Sequence, residues 1–259
     1  MKTDWDYTEL AQAYVKRVEY SDDAVDRMLS TARIGPGASI CDVGAGVAHL
    51  TIKLAQKGAH VVAVEPNDAM RRLGRERTAG MDNVRWTEGS GEATGQPSSA
   101  FDLVTFGSSF NVTDRPVTLR ETRRILKNAG WFAAMWNHRD LDDPVQSRIE
   151  YIIKATIPGY DYGARREDQT SVIEASGLFK DVRRIEGNVT HKQKIPELVE
   201  AWRSHATLHR QAGAKFDQII RDIENMLRGL NKAELSIPYT TRIWLAQAAD
   251  ADGAITARQ

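Results

Sequence analysis

Two acidic residues and two glycines in the first half of the chain have the types and spacing of a small-molecule binding site. Asp42 lies in an apolar run that ends at Gly44 and Gly46, and Glu65 closes a second apolar run about 20 residues after the glycines. Glycines let the backbone approach a ligand closely, and the helix that follows presents free N–H groups. A carboxylate at the position of Glu65 accepts hydrogen bonds from ribose hydroxyls in such folds.

The same residues argue against a dinucleotide as the ligand. A dinucleotide fingerprint requires a third small residue where this chain has His49, and the carboxylate of Asp42 would repel a pyrophosphate. An ammonium group would be attracted to Asp42, so an adenosine with an amino-acid tail would satisfy both acids. A plain strand-to-helix connection without a ligand is the alternative interpretation.

Short β-rich runs alternate with helical runs from residue 38 to residue 136, which is typical of βαβ units. The runs predict strands at 39–43, 60–64, 84–86, 101–106, 131–136, 182–193 and 237–245. Helices are predicted at 48–56, 68–77, 115–126 and 144–156 and within 195–230, with a turn at 128–130. We expect an α/β fold with a doubly wound, mainly parallel, seven-stranded Rossmann-like sheet, an antiparallel last strand and a helical substrate cap inserted between the last two strands.

Three segments with different expected roles make up a single integrated domain. Residues 1–33 are predicted to form an N-terminal helical lid, and residues 34–140 a cofactor-binding core. Residues 141–259 are predicted to supply the remaining strands and the substrate cap.

The composition excludes several classes of function. Lys plus Arg and Asp plus Glu are each 35, so no overall positive field attracts nucleic acid. The single cysteine, Cys41, can form no internal disulfide, which suits a reducing compartment. There is no apolar run of roughly 20 residues and no signal peptide in the acidic N-terminus. We therefore expect a cytoplasmic protein, a monomer or homodimer, that binds a small molecule and neither nucleic acid nor membrane.

Four stretches together resemble the class I S-adenosylmethionine-dependent methyltransferases, in particular the small-molecule branch. They are CDVGAGVAHLTIKLA, VVAVEPNDAM, EGSGEATGQPSSAFDLVTFGSSF and the aromatic fifth strand before WNHRD, and they cover most of residues 38–140. The resemblance implies S-adenosyl-L-methionine as the cofactor and S-adenosyl-L-homocysteine as its product.

The resemblance also implies roles for individual positions around the cofactor. The methionine moiety would be lined by Asp42, Gly44, Ala45 and Gly46; the ribose by Glu65; the adenine by Pro66, Met70, Gly91, Glu92 and Ala93; and the sulfonium by Ser108, Ser109 and Phe110. Relatives often carry a His-Trp pair after the phenylalanine, whereas this chain has Asn111 and Val112. This departure removes a frequent active-site imidazole, so the resemblance does not indicate the acceptor.

The N-terminal segment places Tyr7, Tyr14 and Arg17 at helical spacing. In similar relatives such a segment is a lid, with an aromatic residue and an arginine near the cofactor carboxylate, so Tyr14 and Arg17 are predicted to bind the cofactor. A surface amphipathic helix is the alternative.

Candidates for the acceptor side follow the fifth strand and lie in the predicted cap. His138 lies where ligands bind in open α/β sheets and is predicted to be a general base, with a structural role as the alternative. The acceptor is predicted to contact Asn111, Trp136, Asn137, Trp202, His205 and His209. Although His205 and His209 are four residues apart, no third ligand accompanies them, and we expect no metal.

Three functions remain open at this point. The first is methylation of oxygen, nitrogen or carbon on a small molecule, with natural-product metabolism as one setting for it. The second is a non-catalytic S-adenosylmethionine-binding protein, because the His-Trp pair is missing. The third is a nicotinamide oxidoreductase, which Asp42 and His49 disfavour.

Overall fold

A computed structural model describes residues 11–250 of the chain, except the side chains of Ala13, Arg165 and Ala206. These residues form one twisted seven-stranded sheet with helices on both faces. The strands are β1 (Ser39–Val43), β2 (His60–Val64), β3 (Val84–Thr87), β4 (Phe101–Gly107), β5 (Leu126–Arg139), β6 (Phe179–Lys194) and β7 (Glu234–Ala248).

The strand order across the sheet is β3-β2-β1-β4-β5-β7-β6. The first five strands of this order are parallel, while β7 runs antiparallel to both β5 and β6. The predicted doubly wound sheet with an antiparallel last strand is therefore confirmed. The order reverses at β1 and β4, and the crevice beyond the carboxyl ends of such strands is where these folds bind ligands.

The helices are α1 (Ala11–Tyr14), α2 (Asp22–Thr31), α3 (His49–Gln56), α4 (Asp68–Arg77), α5 (Arg115–Ile125), α6 (Pro144–Thr156), α7 (Thr170–Ala175), α8 (Ile195–Arg203), α9 (Ala206–Ala212) and α10 (Phe216–Arg228). The last three lie between β6 and β7, where the sequence predicted an insertion. None of the helices between residues 11 and 250 is long and apolar enough to cross a membrane.

The predicted turn at residues 128–130 is wrong in detail. β5 already begins at Leu126, opposite Phe101, and its register to β4 shifts before Trp131. Ala129 adopts the left-handed region, with φ of 59°. The Asn-Ala-Gly sequence therefore forms an irregularity near the start of β5 and not a separate turn. Residues that favour turns can adopt a positive φ at such an irregularity.

Three apolar clusters hold these elements together. One packs α2 and α3 on one face of the sheet, and a second packs Phe106, Phe110 and Phe132 on the other face. The third joins α6, α8 and α10 around Ile149, Trp202 and other buried side chains. The third cluster is separate from the sheet core, so the inserted helices form a layer of their own beside the carboxyl ends of the strands.

Candidate functional site

A cavity of about 340 Å³ opens beyond the carboxyl ends of β1, β2, β4 and β5. One wall consists of residues 14–20, which we call the N-terminal strap, and α8 contributes another. The cavity therefore lies between the sheet, the strap and the inserted helical layer.

The loop after β1 brings backbone close to this cavity. Gly44 and Gly46 have φ of 67° and 56°, in the region that favours glycine. A Cβ on Gly44 would lie 2.4 Å from Cβ of Ser109. The hydroxyl of Ser109 donates a 2.6 Å hydrogen bond to the carbonyl of Val43 and so fixes the loop after β4 against the loop after β1.

Glu65 ends β2 with a carboxylate that is 6% exposed. Its Oε2 accepts from the backbone N–H of Gly46 at 2.9 Å, and its Oε1 accepts from that of Asn67 at 2.8 Å. Burial raises the pKa of Glu65, and the two backbone hydrogen bonds offset only part of this increase. A carboxylate has about four lone-pair sites, so each oxygen can still accept one more hydrogen bond from a ligand in the cavity.

Asp42 is more deeply buried, with 1% of its surface exposed. Its two oxygens accept from the hydroxyls of Thr51 at 2.6 Å and Thr105 at 2.9 Å. Burial raises the pKa of Asp42 to about 6, since hydroxyl donors compensate only part of the lost hydration. Within residues 11–250 no Lys, Arg or His side chain forms an ion pair with this carboxylate.

Most of the other positions predicted to bind the cofactor line the same cavity. They are Tyr14, Arg17, Ala45, Pro66, Met70, Gly91, Glu92, Ser108 and Ser109. One oxygen of Glu92 accepts from the N–H of Asp114 at 2.7 Å, which leaves the other oxygen for an adenine amino group.

Ala93 and Phe110, also predicted to contact the cofactor, do not line the cavity. Phe110 is fully buried, and its ring packs edge-on 5.5 Å from Phe106 and 5.3 Å from Phe132. Phe110 begins a short 3₁₀ helix, and its ring packs into the core behind the cavity wall. Ala93 is exposed, and its carbonyl accepts from Ser90 in the loop that carries Gly91.

The N-terminal strap is fastened by side chains from several elements. Nδ1 of His49 lies 2.9 Å from Oε1 of Glu19, and its Nε2 lies 2.9 Å from the carbonyl of Tyr14. Asn137 donates to the carbonyls of Val18 and Glu19 at 3.1 Å. The helix start that the sequence placed beside the glycine loop therefore tethers the strap through His49.

Two further bonds join the strap to the far side of the fold. Gln193 in β6 donates to the carbonyl of Lys16, and Arg17 donates to the carbonyl of Ser204 after α8, both at 3.1 Å. The guanidinium of Arg17 also lies 3.6 Å from the centroid of the Tyr14 ring. Tyr7 lies outside the described residues.

Tyr20, which was not predicted from the sequence, lines the cavity beside the loop after β4. Its hydroxyl is 3.0 Å from that of Ser108, whose φ of 59° is unusual for serine. A Cβ on Gly107 would lie 3.0 Å from the same hydroxyl. The small residues at 107 and 108 therefore make room for Tyr20, but no pattern in the sequence links these distant segments.

The acceptor candidates on β5 also reach the cavity. His138 is 7% exposed and lines it together with Trp136 and Asn137. Nε1 of Trp136 donates to Oδ1 of Asn111 at 2.9 Å. Asn111, at the position of the missing His-Trp pair, is thus held by the wall and also faces the cavity.

Trp202 and His205 line the cavity from the inserted layer, but His209 does not. The rings of Trp202 and His205 stack 5.1 Å apart at 18°. His209 instead packs edge-on at 4.7 Å against Phe216, because one helical turn carries it round to α10. Of the three residues of this stripe, Trp202 and His205 therefore reach the cavity, and their contact with an acceptor stays a prediction.

Residues 41–134 match the family model described as a methyltransferase domain. A demethylmenaquinone methyltransferase from Clavibacter sepedonicus is 33% identical over 132 residues, which are 48% of this chain and 53% of the relative. The chain spans about half the length of the curated relatives it matches.

Solved structures share the fold over a larger part of the chain. A candidate type II methyltransferase from Anaeromyxobacter dehalogenans has a TM-score of 0.63 at 17% identity, over 89% of this chain and 97% of that one. Phosphoethanolamine N-methyltransferase 2 from Haemonchus contortus, in complex with phosphomonomethylethanolamine and S-adenosylhomocysteine, has a TM-score of 0.55 at 14% identity, over 93% of this chain and 57% of that one. At these identities the likeness is one of fold.

Proposed function

We propose, from the premise that residues 41–134 match the methyltransferase domain family, that this chain transfers a methyl group from S-adenosylmethionine to a small molecule. That match supports the resemblance to class I S-adenosylmethionine-dependent methyltransferases, and S-adenosylmethionine as the cofactor. The acceptor and the roles of the site residues are part of the proposal.

The buried carboxylate of Asp42 is the observation that carries the proposal. It lies at the cavity with 1% of its surface exposed, and burying a charge is costly unless it is paired. A cationic ligand would supply the missing partner. The ammonium group of S-adenosylmethionine fits beside Asp42, while the free lone pairs of Glu65 fit the two ribose hydroxyls. A dinucleotide would bring a phosphate to the same place.

The chemistry requires the protein chiefly to align the two reactants and exclude water. When bound, S-adenosylmethionine supplies a methyl carbon whose bond to sulfur breaks, with the electron pair left on sulfur, as the acceptor's lone pair bonds to that carbon. Tyr20 and Ser108 line the cavity at the loop after β4, and the N-terminal strap forms another of its walls. His138 would accept the proton that a hydroxyl or ammonium acceptor loses.

Calorimetric titration of the protein with S-adenosylhomocysteine and with NADH tests the cofactor assignment. We expect S-adenosylhomocysteine to bind and NADH not to bind. Binding of NADH alone would refute the assignment. Incubation with S-adenosylmethionine and a library of small hydroxylated and aminated compounds, followed by detection of S-adenosylhomocysteine, then tests turnover.

A non-catalytic cofactor-binding protein is the second candidate, because Asn111 stands where relatives often have the His-Trp pair. Tight binding of S-adenosylhomocysteine without turnover of any library member would favour it. The natural-product role, the cytoplasmic location, the oligomeric state and the division into lid, core and cap stay predictions.

A further inference from the structure

Arg139 is the last residue of β5 and lines the end of the cavity that is farthest from the glycine loop. The last residue of β4, Gly107, pairs with Met135, and β5 continues four residues farther to Arg139. Four strand residues span roughly 13 Å. Arg139 therefore reaches past the sheet edge that holds Asp42 and Glu65, and into the inserted helical layer.

The guanidinium of Arg139 is buried and only partly satisfied. Its side chain is 9% exposed, and its Nη2 lies 2.5 Å from Oε2 of Glu150 in α6. Its Nη1 is buried and, within residues 11–250, has no hydrogen-bond partner. A buried donor left unpaired costs free energy, so an unpaired guanidinium nitrogen at a cavity indicates a missing acceptor.

Arg166 adds a second positive charge to the same end of the cavity. It lies in a 3₁₀ turn, Gly163–Arg166, and its guanidinium is 3.5 Å from the centroid of the Tyr162 ring. Among the described residues it forms no ion pair, whereas Glu150 is shared between Arg139 and Lys154. Burial lowers the pKa of Arg139; the charge of Glu150 opposes this shift, and the nearby charge of Arg166 adds to it. Two guanidinium groups thus line this end of the cavity, whereas Glu150, the partner of one of them, does not line it.

Flat rings surround the two guanidinium groups. The Arg139 guanidinium lies 4.7 Å from the ring centroid of Trp202 and 5.3 Å from that of Tyr162. Trp202 in turn stacks on His205, and all three rings line the cavity. A cavity end lined by aromatic rings favours a planar, aromatic ligand.

We propose that the methyl acceptor is a planar small-molecule carboxylic acid, whose carboxylate binds between Arg139 and Arg166. The planar guanidinium fork matches a carboxylate, and Nη1 of Arg139 gains the acceptor it lacks. This inference rests on the proposed function, since it assigns the acceptor end of the same cavity.

Calorimetry on the protein saturated with S-adenosylhomocysteine tests the inference. The probes are 4-hydroxybenzoate, 4-hydroxycinnamate and indole-3-acetate, each titrated beside its own carboxamide, which has nearly the same shape and no charge. At least one acid should bind about tenfold more tightly than its amide, as expected for a charge-assisted hydrogen bond.

The variant Arg166→Gln should lose that preference and keep its affinity for S-adenosylhomocysteine, because it leaves no described carboxylate unpaired. Arg148→Gln is the matched control: Arg148 also lies over a tyrosine ring, 5.1 Å from that of Tyr151, but on the exposed surface. This control should retain the full preference for the acid.

The outcomes separate this inference from the proposed function. Failure of the wild-type protein to bind S-adenosylhomocysteine would overturn the proposed function itself. If the cofactor product binds but no acid binds better than its amide, the acidic acceptor is wrong and the methyltransferase proposal survives. A loss of S-adenosylhomocysteine affinity in Arg166→Gln would assign the arginine to the cofactor and overturn the inference as well.

Discussion

The substitution Asp42→Asn tests whether the buried carboxylate of Asp42, which has no ion-pair partner among the described residues, binds the ammonium group of the cofactor. Asn has nearly the same shape as the protonated acid. Its oxygen can accept from Thr51, while its amide nitrogen can donate to the hydroxyl of Thr105, which rotates to accept. The variant therefore removes the charge and leaves the hydrogen-bonding groups of the site paired.

The size of the effect follows from the pKa of Asp42. Burial raises this pKa from 3.8 to about 6, and each pKa unit corresponds to about 1.4 kcal/mol. The raised value means that the folded state binds the proton more tightly, so stability is highest below pH 3.8 and falls as the pH rises through 6. Ionisation of Asp42 should cost the wild-type protein about 3 kcal/mol across this window.

Urea unfolding followed by tryptophan fluorescence measures this cost, at pH 4 and at pH 7.5. The free energy of unfolding of Asp42→Asn minus that of the wild type should rise by about 2.4 kcal/mol between the two pH values, because at pH 4 the carboxyl is already more than half ionised in the unfolded state. Because the difference is taken at each pH, the titration of other groups cancels. Asp142→Asn, in an exposed loop, is the control and should show no such rise.

The cofactor product should respond in the opposite direction. Its ammonium group favours the ionised form of Asp42, so its affinity for the wild type should increase as the pH rises through about 6. For Asp42→Asn the affinity should be lower and nearly constant over this range. A stability difference that does not change with pH, combined with unaltered affinity in the variant, would refute the role of Asp42.

Three further predictions concern neighbouring parts of the site. Glu65→Gln puts an amide N–H against the backbone donor of Gly46 or Asn67, and the affinity for S-adenosylhomocysteine measured by calorimetry should fall at least about tenfold; an unchanged affinity would remove Glu65 from the site. Gly44→Ala combines a φ of 67° with a 2.4 Å approach to Ser109, so urea unfolding should show a loss of about 2–4 kcal/mol, and a loss below 1 kcal/mol would contradict the observed loop. His138→Ala should lower kcat about 100-fold with unchanged cofactor affinity if His138 is the base, and an unaltered kcat would exclude that role.

The strands of the cofactor half could be predicted because each is a short apolar run bounded by glycine, proline or an acid. β1 and β2 have the predicted bounds, since central parallel strands are buried on both faces and their sequences show it. The positions of Asp42 and Glu65 follow directly, because the strand ends fix where their carboxylates lie.

The acceptor half could not be predicted in the same way. Arg139, Tyr162, Arg166 and Trp202 come from β5, from irregular chain and from α8, and they meet only after the inserted layer packs on α6. A helical period in the sequence suggested both Trp202 and His209, yet it could not show which of them faces inwards. Phe110 was placed at the sulfonium from its position alone, whereas packing against two other phenylalanines decides its orientation.

The fastening of the N-terminal strap has a consequence for turnover. Side chains of α3, β5 and β6 hold its backbone, and its own Arg17 reaches the carbonyl that ends α8. The segment that walls the cavity is thus anchored on both the sheet half and the inserted half of the molecule. If the proposed methyl donor and its product exchange through this side, several of these anchors must release together, and the rate at which residues 14–20 detach would then limit turnover.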